Sequence, residues 1–154
     1  KRYTYWPQLF LGITFNYGLI LGWTAIKGQI DMMPILFYIG AIFWTLGYDT
    51  IYGFQDIKDD EIIGLKSTSI KFKKKPLIFL TTCYLILFLT IITLGILKNF
   101  NVFYYAFSLI IGYHLFLYQL KSVKLDNPMN CLKVFKSNNL FGFLVFVQIL
   151  FGKI

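Results

Sequence analysis

Four long apolar runs dominate the chain and restrict it to a membrane fold. They occupy residues 7–26, 32–52, 76–97 and 102–120. Each run is about long enough to cross the ~30 Å hydrocarbon core of a bilayer as a helix. A fifth run, at 140–152, can span only with its flanks or in a thinned bilayer. Since no run alternates apolar and polar residues as a barrel strand does, we predict one all-α membrane domain over residues 1–154, with five transmembrane helices.

The composition excludes a soluble fold. Hydrophobic residues make up 57% of the 154 residues and charged residues only 14%, so too little polar material remains for a solvated shell. Two cysteines are too few for a disulfide-rich secreted domain. The net charge of +8 comes from lysines in short segments between apolar runs. This pattern indicates basic loops at a membrane surface and no nucleic-acid partner.

The distribution of basic residues predicts the topology. With five spans, twelve of the fifteen lysines and arginines fall on one side of the membrane and three on the other. The twelve are those at positions 1 and 2, six between 58 and 75, and four between 121 and 136. The three are Lys27, Lys98 and Lys153. The positive-inside rule therefore places the N-terminus and the loops after the second and fourth helices in the cytoplasm or its equivalent.

Helix boundaries can also be predicted from single residues. Asp31 and Asn127 stand before apolar or amphipathic stretches and are predicted N-caps. Segment 128–136 (PMNCLKVFK) is too short and too mixed in character to span. It predicts a short amphipathic helix lying at the interface. Asn138 and Asn139 are expected to cap the last transmembrane helix, and His114 to form a structural hydrogen bond to a neighbouring helix.

The acidic residues are concentrated in one place. Five of the seven lie between Asp49 and Glu61, at the end of the second apolar run. If the helix continues through this stretch, Asp49 and Asp56 are two turns apart, and Asp56 and Asp60 are i,i+4 neighbours. Such carboxylates repel one another unless a cation neutralises them, and Mg²⁺ commonly binds through one or two carboxylates plus phosphate oxygens. The pattern alone also permits a solvated loop, or the cation site of a transporter or channel.

Three stretches of the sequence resemble a known family. Residues 49–68 (DTIYGFQDIKDDEIIGLKST) are similar to the second aspartate-rich motif of the UbiA prenyltransferases, most of all to their 4-hydroxybenzoate polyprenyltransferase branch. The opening KRYTYWPQ and the segment SNNLFGFLVF resemble the same branch. The residues QDIKDDEIIGLKST of the motif argue against the menaquinone and haem-O branches, which remain alternatives within the family.

The resemblance implies a fold and a reaction. Family members have nine helices, so the five predicted here would correspond to the C-terminal half. A polyprenyl diphosphate held through Mg²⁺ would prenylate the ring of 4-hydroxybenzoate, on the way to ubiquinone, at the cytoplasmic or matrix face of a bacterial or mitochondrial inner membrane. The family's first motif, NDxxDxxxD, has no match in this chain. We therefore expect the chain to be inactive alone, unless a partner supplies the missing N-terminal half.

The resemblance also assigns roles to individual residues. Asp56 and Asp60 match the metal-binding pair, and Asp49 matches the upstream acid of that motif. Lys66, just after the motif, matches a lysine that contacts the diphosphate.

Four further residues are candidate substrate contacts. Lys1 and Arg2 match a basic pair of a cytoplasmic loop that meets the diphosphate or the aromatic carboxylate. Tyr52 lies on the same helical stripe as the aspartates. Asn16, inside the first apolar run, either faces the cavity and the aromatic substrate or joins two helices by hydrogen bonds.

Overall fold

The computed structural model describes residues 1–153, and within this range it contains helices and no strands. Ten segments are α-helical and one is a π-helix. They are α1 (Pro7–Phe15), α2 (Gly18–Lys27), α3 (Met32–Gly53), α4 (Ile57–Ile62), α5 (Thr68–Lys71), α6 (Pro76–Leu97), α7 (Val102–Gly112), the π-helix (Tyr113–Gln119), α8 (Leu120–Ser122), α9 (Pro128–Lys136) and α10 (Asn138–Phe151).

Five helical spans are long and apolar enough to cross a membrane, which confirms the predicted all-α membrane bundle. α3 and α6 are single uninterrupted spans of 22 residues each. The other three spans combine neighbouring helices. The five are Pro7–Lys27, Met32–Gly53, Pro76–Leu97, Val102–Ser122 and Pro128–Phe151.

The fifth span differs from its prediction. α9 has the bounds expected for a separate amphipathic helix, but it continues directly into α10, and the two form a span of 24 residues. The backbone does not break because Ser137 itself has helical angles, with φ −63° and ψ −14°. Cys131 and Val134 are buried against the bundle, while Lys133 and Lys136 face outward. The amphipathic pattern of 128–136 therefore belongs to the first turns of a spanning helix.

The caps predicted at Asp31 and Asn127 are both present. The Asp31 side chain accepts a hydrogen bond from the backbone N–H of Met33 at 2.8 Å, and that of Asn127 accepts one from the backbone N–H of Asn130 at 3.1 Å. Each bond satisfies a donor that the first turn of a helix leaves without an intrahelical partner.

Glycines allow α3 to approach α6 closely. A Cβ added at Gly47 would lie 2.6 Å from Cε1 of Tyr84, and one added at Gly40 would lie 2.1 Å from Oγ1 of Thr90. The two glycines are seven residues apart and therefore lie on one face of α3. The hydrophobic effect does not drive helices together inside a bilayer. Small residues at such a contact let the helices approach closely, and van der Waals packing then stabilises the pair.

Candidate functional site

The acidic cluster lies where α3 ends. α3 stops at Gly53 and α4 begins at Ile57, so one continuous helix does not connect Asp49 to Asp56. Asp56 occupies the N-cap position of α4 with an exposed side chain. The Asp60 backbone N–H donates to the Asp56 carbonyl oxygen at 2.8 Å. Asp56 and Asp60 therefore lie one turn apart on α4, as their spacing predicts.

Lys1 and Lys66 lie beside Asp60. The Lys1 Nζ atom donates to Asp60 Oδ2 at 2.7 Å, and the Asp60 side chain is 8% exposed. The Lys1 carbonyl oxygen accepts a hydrogen bond from the Lys66 backbone N–H at 2.7 Å. The Lys66 ammonium lies 5.7 Å from the centroid of the Tyr5 ring, within the range of a cation–π contact. Three residues that the sequence comparison singled out separately are therefore neighbours.

The end of α4 directs the chain back towards Lys1. The N–H of Leu65 donates to the Asp60 carbonyl at 2.8 Å and that of Gly64 donates to the Glu61 carbonyl at 3.1 Å, which is the Schellman pattern of a helix C-terminus. Gly64 has φ +75°, a left-handed angle that glycine adopts without strain. This reversal places Lys66 against the N-terminal segment.

A group of buried hydrogen bonds fixes the loop after Lys66. Gln8 Oε1 accepts from the Thr68 backbone N–H at 3.0 Å, and the Thr50 and Thr68 hydroxyls are 2.6 Å apart. Ser69 Oγ donates to the Thr50 carbonyl at 2.8 Å. A Cβ at Gly53 would lie 2.4 Å from Ser69 Oγ, so glycine leaves room for this loop. These residues were not predicted to belong to the site, although a glutamine within an apolar run is a visible signal.

The remaining polar candidates make fewer contacts. The Arg2 side chain is exposed and has no hydrogen-bond or ion-pair partner among residues 1–153. Asp49 is half-buried in the last turn of α3, also without a side-chain partner in that range. Both side chains are therefore available to a ligand.

The carboxylates fit a metal that takes part of its ligands from a substrate. Among the described residues, no three His, Cys, Asp or Glu side chains converge to form a complete metal site. Asp56 and Asp60 supply two hard oxygen donors on one helical turn. Mg²⁺ is commonly bound by one or two carboxylates together with substrate phosphates and water. The donor set matches that pattern.

An aromatic wall extends from the acidic cluster into the bundle. Trp44, Tyr48 and Tyr52 follow one another at four-residue intervals on one face of α3. The Trp44 and Tyr48 ring centroids are 5.1 Å apart. Phe135 of α9 contacts both tyrosines, at 5.6 Å from Tyr48 and 4.7 Å from Tyr52. Phe141 of α10 contacts Trp44 at 4.8 Å. The five rings form an apolar surface whose ring faces carry partial negative charge. This surface begins at Tyr52, four residues before Asp56.

A buried polar network holds the indole of this wall. Trp44 Nε1 donates to Asn138 Oδ1 at 2.8 Å, and Gln119 Nε2 donates to the same oxygen at 3.0 Å. Tyr84 OH donates to Gln119 Oε1 at 2.5 Å. His114 Nε2 lies 3.1 Å from Gln119 Nε2, so it acts as the acceptor of that bond.

Two expectations are resolved by this network. His114 has the structural role expected of it, with Ser137 Oγ of the next helix 3.5 Å away. Asn138 does not cap α10; its side chain is instead the centre of the network, and its Nδ2 donates to the Phe135 carbonyl at 3.0 Å. The π-helix that carries His114 and Gln119 was not predicted, and such segments are frequent at functional sites.

Asn16 joins two helices and also lines a cavity, and its contact with the aromatic substrate stays a prediction. Its Nδ2 donates to the Gly12 carbonyl at 2.8 Å, to the Ala41 carbonyl at 3.2 Å and to Thr45 Oγ1 at 2.8 Å, so it joins the first span to α3. It also lines a cavity of about 170 Å³, together with Trp44 of the aromatic wall. The three bonds are all donated by Nδ2 and leave the amide oxygen as an acceptor.

Comparison with known proteins identifies the family of the chain. A sequence model of the UbiA prenyltransferase family matches residues 1–147. The chain is 39% identical over 155 residues to the mitochondrial 4-hydroxybenzoate polyprenyltransferases of Bos taurus and of Homo sapiens, covering 100% of this chain and 42% of each relative. It is 39% identical to that of Drosophila melanogaster over 153 residues, covering 99% of this chain and 39% of the relative.

The chain thus spans about two fifths of the length of the curated relatives it matches. No solved structure matches it. The match to the family covers nearly the whole chain, including the acidic cluster and the aromatic wall. This chain is an integral membrane protein that belongs to the UbiA prenyltransferase family.

Proposed function

We propose that this chain forms part of a membrane-bound aromatic prenyltransferase that uses Mg²⁺ to transfer a polyprenyl group from polyprenyl diphosphate to 4-hydroxybenzoate. The family membership and the names of its mammalian and insect relatives support this reaction. They favour a transferase over the transporter or channel that the acidic cluster alone also permits. The relatives are mitochondrial proteins, and the proposed location is a mitochondrial or bacterial inner membrane with the acidic end towards the matrix or cytoplasm.

One observation carries the proposal: the charged cluster and the aromatic wall meet at one end of the bundle. Asp56 and Asp60 provide carboxylates, Lys1 provides an ammonium group bonded to Asp60, and the Lys66 backbone is hydrogen-bonded to that of Lys1. The wall begins at Tyr52 and leads towards the middle of α3. A polyprenyl diphosphate changes from charged to apolar along its length in the same order as this site. Its anionic end needs cations, and its prenyl chain needs an apolar surface.

The residues suggest how the bond is broken. Asp56 and Asp60 would hold Mg²⁺, which would supply Lewis-acid neutralisation of the leaving diphosphate. The ammonium groups of Lys66 and Lys1 would neutralise further negative charge on the diphosphate oxygens. When the allylic C–O bond breaks, its electron pair leaves with the diphosphate and the prenyl carbon becomes cationic. Asp49 is the third carboxylate of the proposed site, and Arg2 a further cation for the diphosphate or the aromatic carboxylate.

The aromatic wall would protect the prenyl cation. The faces of Trp44, Tyr48 and Phe135 attract positive charge electrostatically and leave no nucleophile to capture it. The ring carbon next to the hydroxyl of 4-hydroxybenzoate then forms the new C–C bond to the prenyl cation. The same ring carbon afterwards loses its proton. The amide oxygen of Asn16, at the adjoining cavity, would accept a hydrogen bond from the hydroxyl of the aromatic substrate.

The chain contains one aspartate motif, whereas the proposed reaction uses two facing each other, so we propose that residues 1–154 are inactive alone. The test measures transfer of labelled polyprenyl groups to 4-hydroxybenzoate in membranes with Mg²⁺. It uses residues 1–154 and, separately, the longest polypeptide that the gene encodes. Activity of residues 1–154 alone would contradict the proposed need for a second motif.

Asp56→Asn tests the site within the active polypeptide, and Asp59→Asn is its matched control. Asp59 lies in the first turn of the same helix and is exposed, without a side-chain partner among the described residues. We expect Asp56→Asn to lower the rate by at least about 100-fold, as expected for loss of a metal ligand, and Asp59→Asn by much less. Equal losses would contradict the assigned metal pair.

A further inference from the structure

A second cavity lies at the end of the bundle opposite to the acidic cluster. Its volume is about 580 Å³, which is within the range of about 300–1,000 Å³ that ligand sites occupy. The lining comes from all five spans and is mostly apolar. We call it the outer cavity; its lining includes Trp23, Met33, Phe37, Ile91, Tyr104 and Ile149.

Three lysines surround this cavity. They are Lys27, Lys98 and Lys153, and they are the three basic residues on this side of the bundle. All three are exposed, and none forms an ion pair within residues 1–153. Asp31 is the one acidic residue at this end, and its side chain is engaged as the N-cap of α3. The charge of the three ammonium groups is therefore not balanced by neighbouring described side chains.

The Trp23 side chain adds a hydrogen-bond donor to the lining. Its Nε1 atom is buried and has no hydrogen-bond partner among the described residues. A buried N–H group without a partner is unfavourable, and it is uncommon in folded proteins. The Lys98 ammonium lies 5.5 Å from the centroid of the same indole, which holds this cation next to the cavity.

We infer that the outer cavity binds an anionic lipid, with its phosphate between the three lysines and an acyl chain on the apolar lining. The apolar lining accounts for the chain, and the lysines account for the negative head group. A zwitterionic lipid would gain less from the lysines because its own ammonium opposes them. A small soluble anion would leave the apolar lining without a partner. The inference does not use the proposed transferase, because the three lysines lie at the other end of the bundle from the carboxylates. The outer cavity does share Leu19, Phe37, Ile91 and Val145 with the smaller cavity beside Asn16.

The test uses tryptophan fluorescence, since Trp23 lies in the cavity lining. The longest polypeptide of the gene is placed in phosphatidylcholine vesicles that contain a small fraction of brominated phosphatidylglycerol or, separately, brominated phosphatidylcholine. Bromine quenches indoles in contact with it, and Trp23→Phe identifies the part of the signal that belongs to Trp23. We expect brominated phosphatidylglycerol to quench Trp23 more strongly than brominated phosphatidylcholine at equal content.

Two triple variants decide whether the lysines cause that preference. Replacing Lys27, Lys98 and Lys153 by glutamine is expected to weaken it by up to about fivefold per lysine at low salt. Replacing Lys124, Lys133 and Lys136 by glutamine removes the same charge at the other end and should leave it unchanged. Equal quenching by both lipids, or equal effects of both variants, would overturn the inference.

Two other results would overturn the inference. If neither lipid quenches Trp23, the cavity is closed to lipid and the inference is wrong. If millimolar inorganic phosphate abolishes the preference, the lysines form a site for a soluble anion and not for a lipid.

Discussion

Lys1 Nζ and Asp60 Oδ2 are 2.7 Å apart, although 59 residues separate them in sequence. The pair joins the segment before the first span to the short helix after the second. It also brings the Lys1 ammonium to the Asp60 carboxylate, which is proposed to bind metal. The basic and acidic parts of the charged cluster are therefore joined even without a ligand. The side chain of Lys1 is 41% exposed and that of Asp60 is 8% exposed, and the loss of Lys1 would therefore leave a largely buried carboxylate unpaired.

Lys1→Gln should lower the stability of the protein by about 1 kcal/mol. Breaking a fully buried pair costs more, but solvent screens the exposed ammonium of Lys1. Thermal unfolding in detergent can be followed with a thiol-reactive dye because Cys83 and Cys131 are both buried and free. Arg2→Gln is the control: its side chain is exposed and without a described partner, and we expect a change below about 0.5 kcal/mol. Equal shifts of the melting temperature would show that the pair does not stabilise the fold.

Gln8→Leu should loosen the loop that carries Lys66. The substitution leaves the buried Thr68 N–H without its acceptor, which costs about 1–3 kcal/mol. Hydrogen exchange of residues 65–72 should therefore accelerate. Gln55→Leu is the matched control, because the Gln55 amide bonds only to the Tyr52 carbonyl within the same turn. Unchanged exchange in Gln8→Leu, or the same increase in both variants, would contradict this role of Gln8.

Gly47→Ala should destabilise the contact between α3 and α6. The new Cβ would lie 2.6 Å from Cε1 of Tyr84, a fully buried ring whose hydroxyl is bonded to Gln119. Overpacking of this kind costs about 1–3 kcal/mol. In Gly22→Ala the new Cβ would meet nothing within 4 Å, so the better helix propensity of alanine should raise stability slightly. A comparison of the two melting temperatures checks the prediction, and a stabilised Gly47→Ala would refute it.

Phe135→Leu should change the products of the proposed reaction. Phe135 contacts both Tyr48 and Tyr52, and its loss opens the aromatic wall next to the carboxylates. Water would then capture part of the prenyl cation, so the ratio of free prenyl alcohol to prenylated 4-hydroxybenzoate should rise. Phe143→Leu makes the same change at a side chain that is 61% exposed on α10, and its product ratio should equal that of the unmodified protein. A normal ratio in Phe135→Leu would exclude this wall from protection of the cation.

The predictable part of the fold depends on local properties of the chain. Length and apolarity alone define a spanning helix, and Asp31 and Asn127 cap helices through bonds within three residues of themselves. The i,i+4 relation of Asp56 and Asp60 is local in the same way. The family resemblance additionally singled out Lys1 and Lys66 as separate contacts.

The features that were not predicted depend on contacts between distant residues. The end of α3 at Gly53 follows from the loop of Thr68 and Ser69 packed against it, and no single-sequence pattern records that contact. Asn138 looked like a cap because asparagine is common there, but Trp44 and Gln119 supply partners from two other spans. The continuation of residues 128–136 into the fifth span was not predicted, because lysines on the outward face gave this segment the composition of an interfacial helix.

The polar network also bears on the order in which the protein is assembled. Membrane spans leave the ribosome in sequence order, so Trp44, Tyr84 and Gln119 leave it before Asn138 does. Until the last span inserts, the indole N–H has no acceptor from that residue and the π-helix lacks one of its partners. The network is therefore completed only when the fifth span inserts, and a chain that stops before it would leave the Trp44 indole N–H without the Asn138 acceptor.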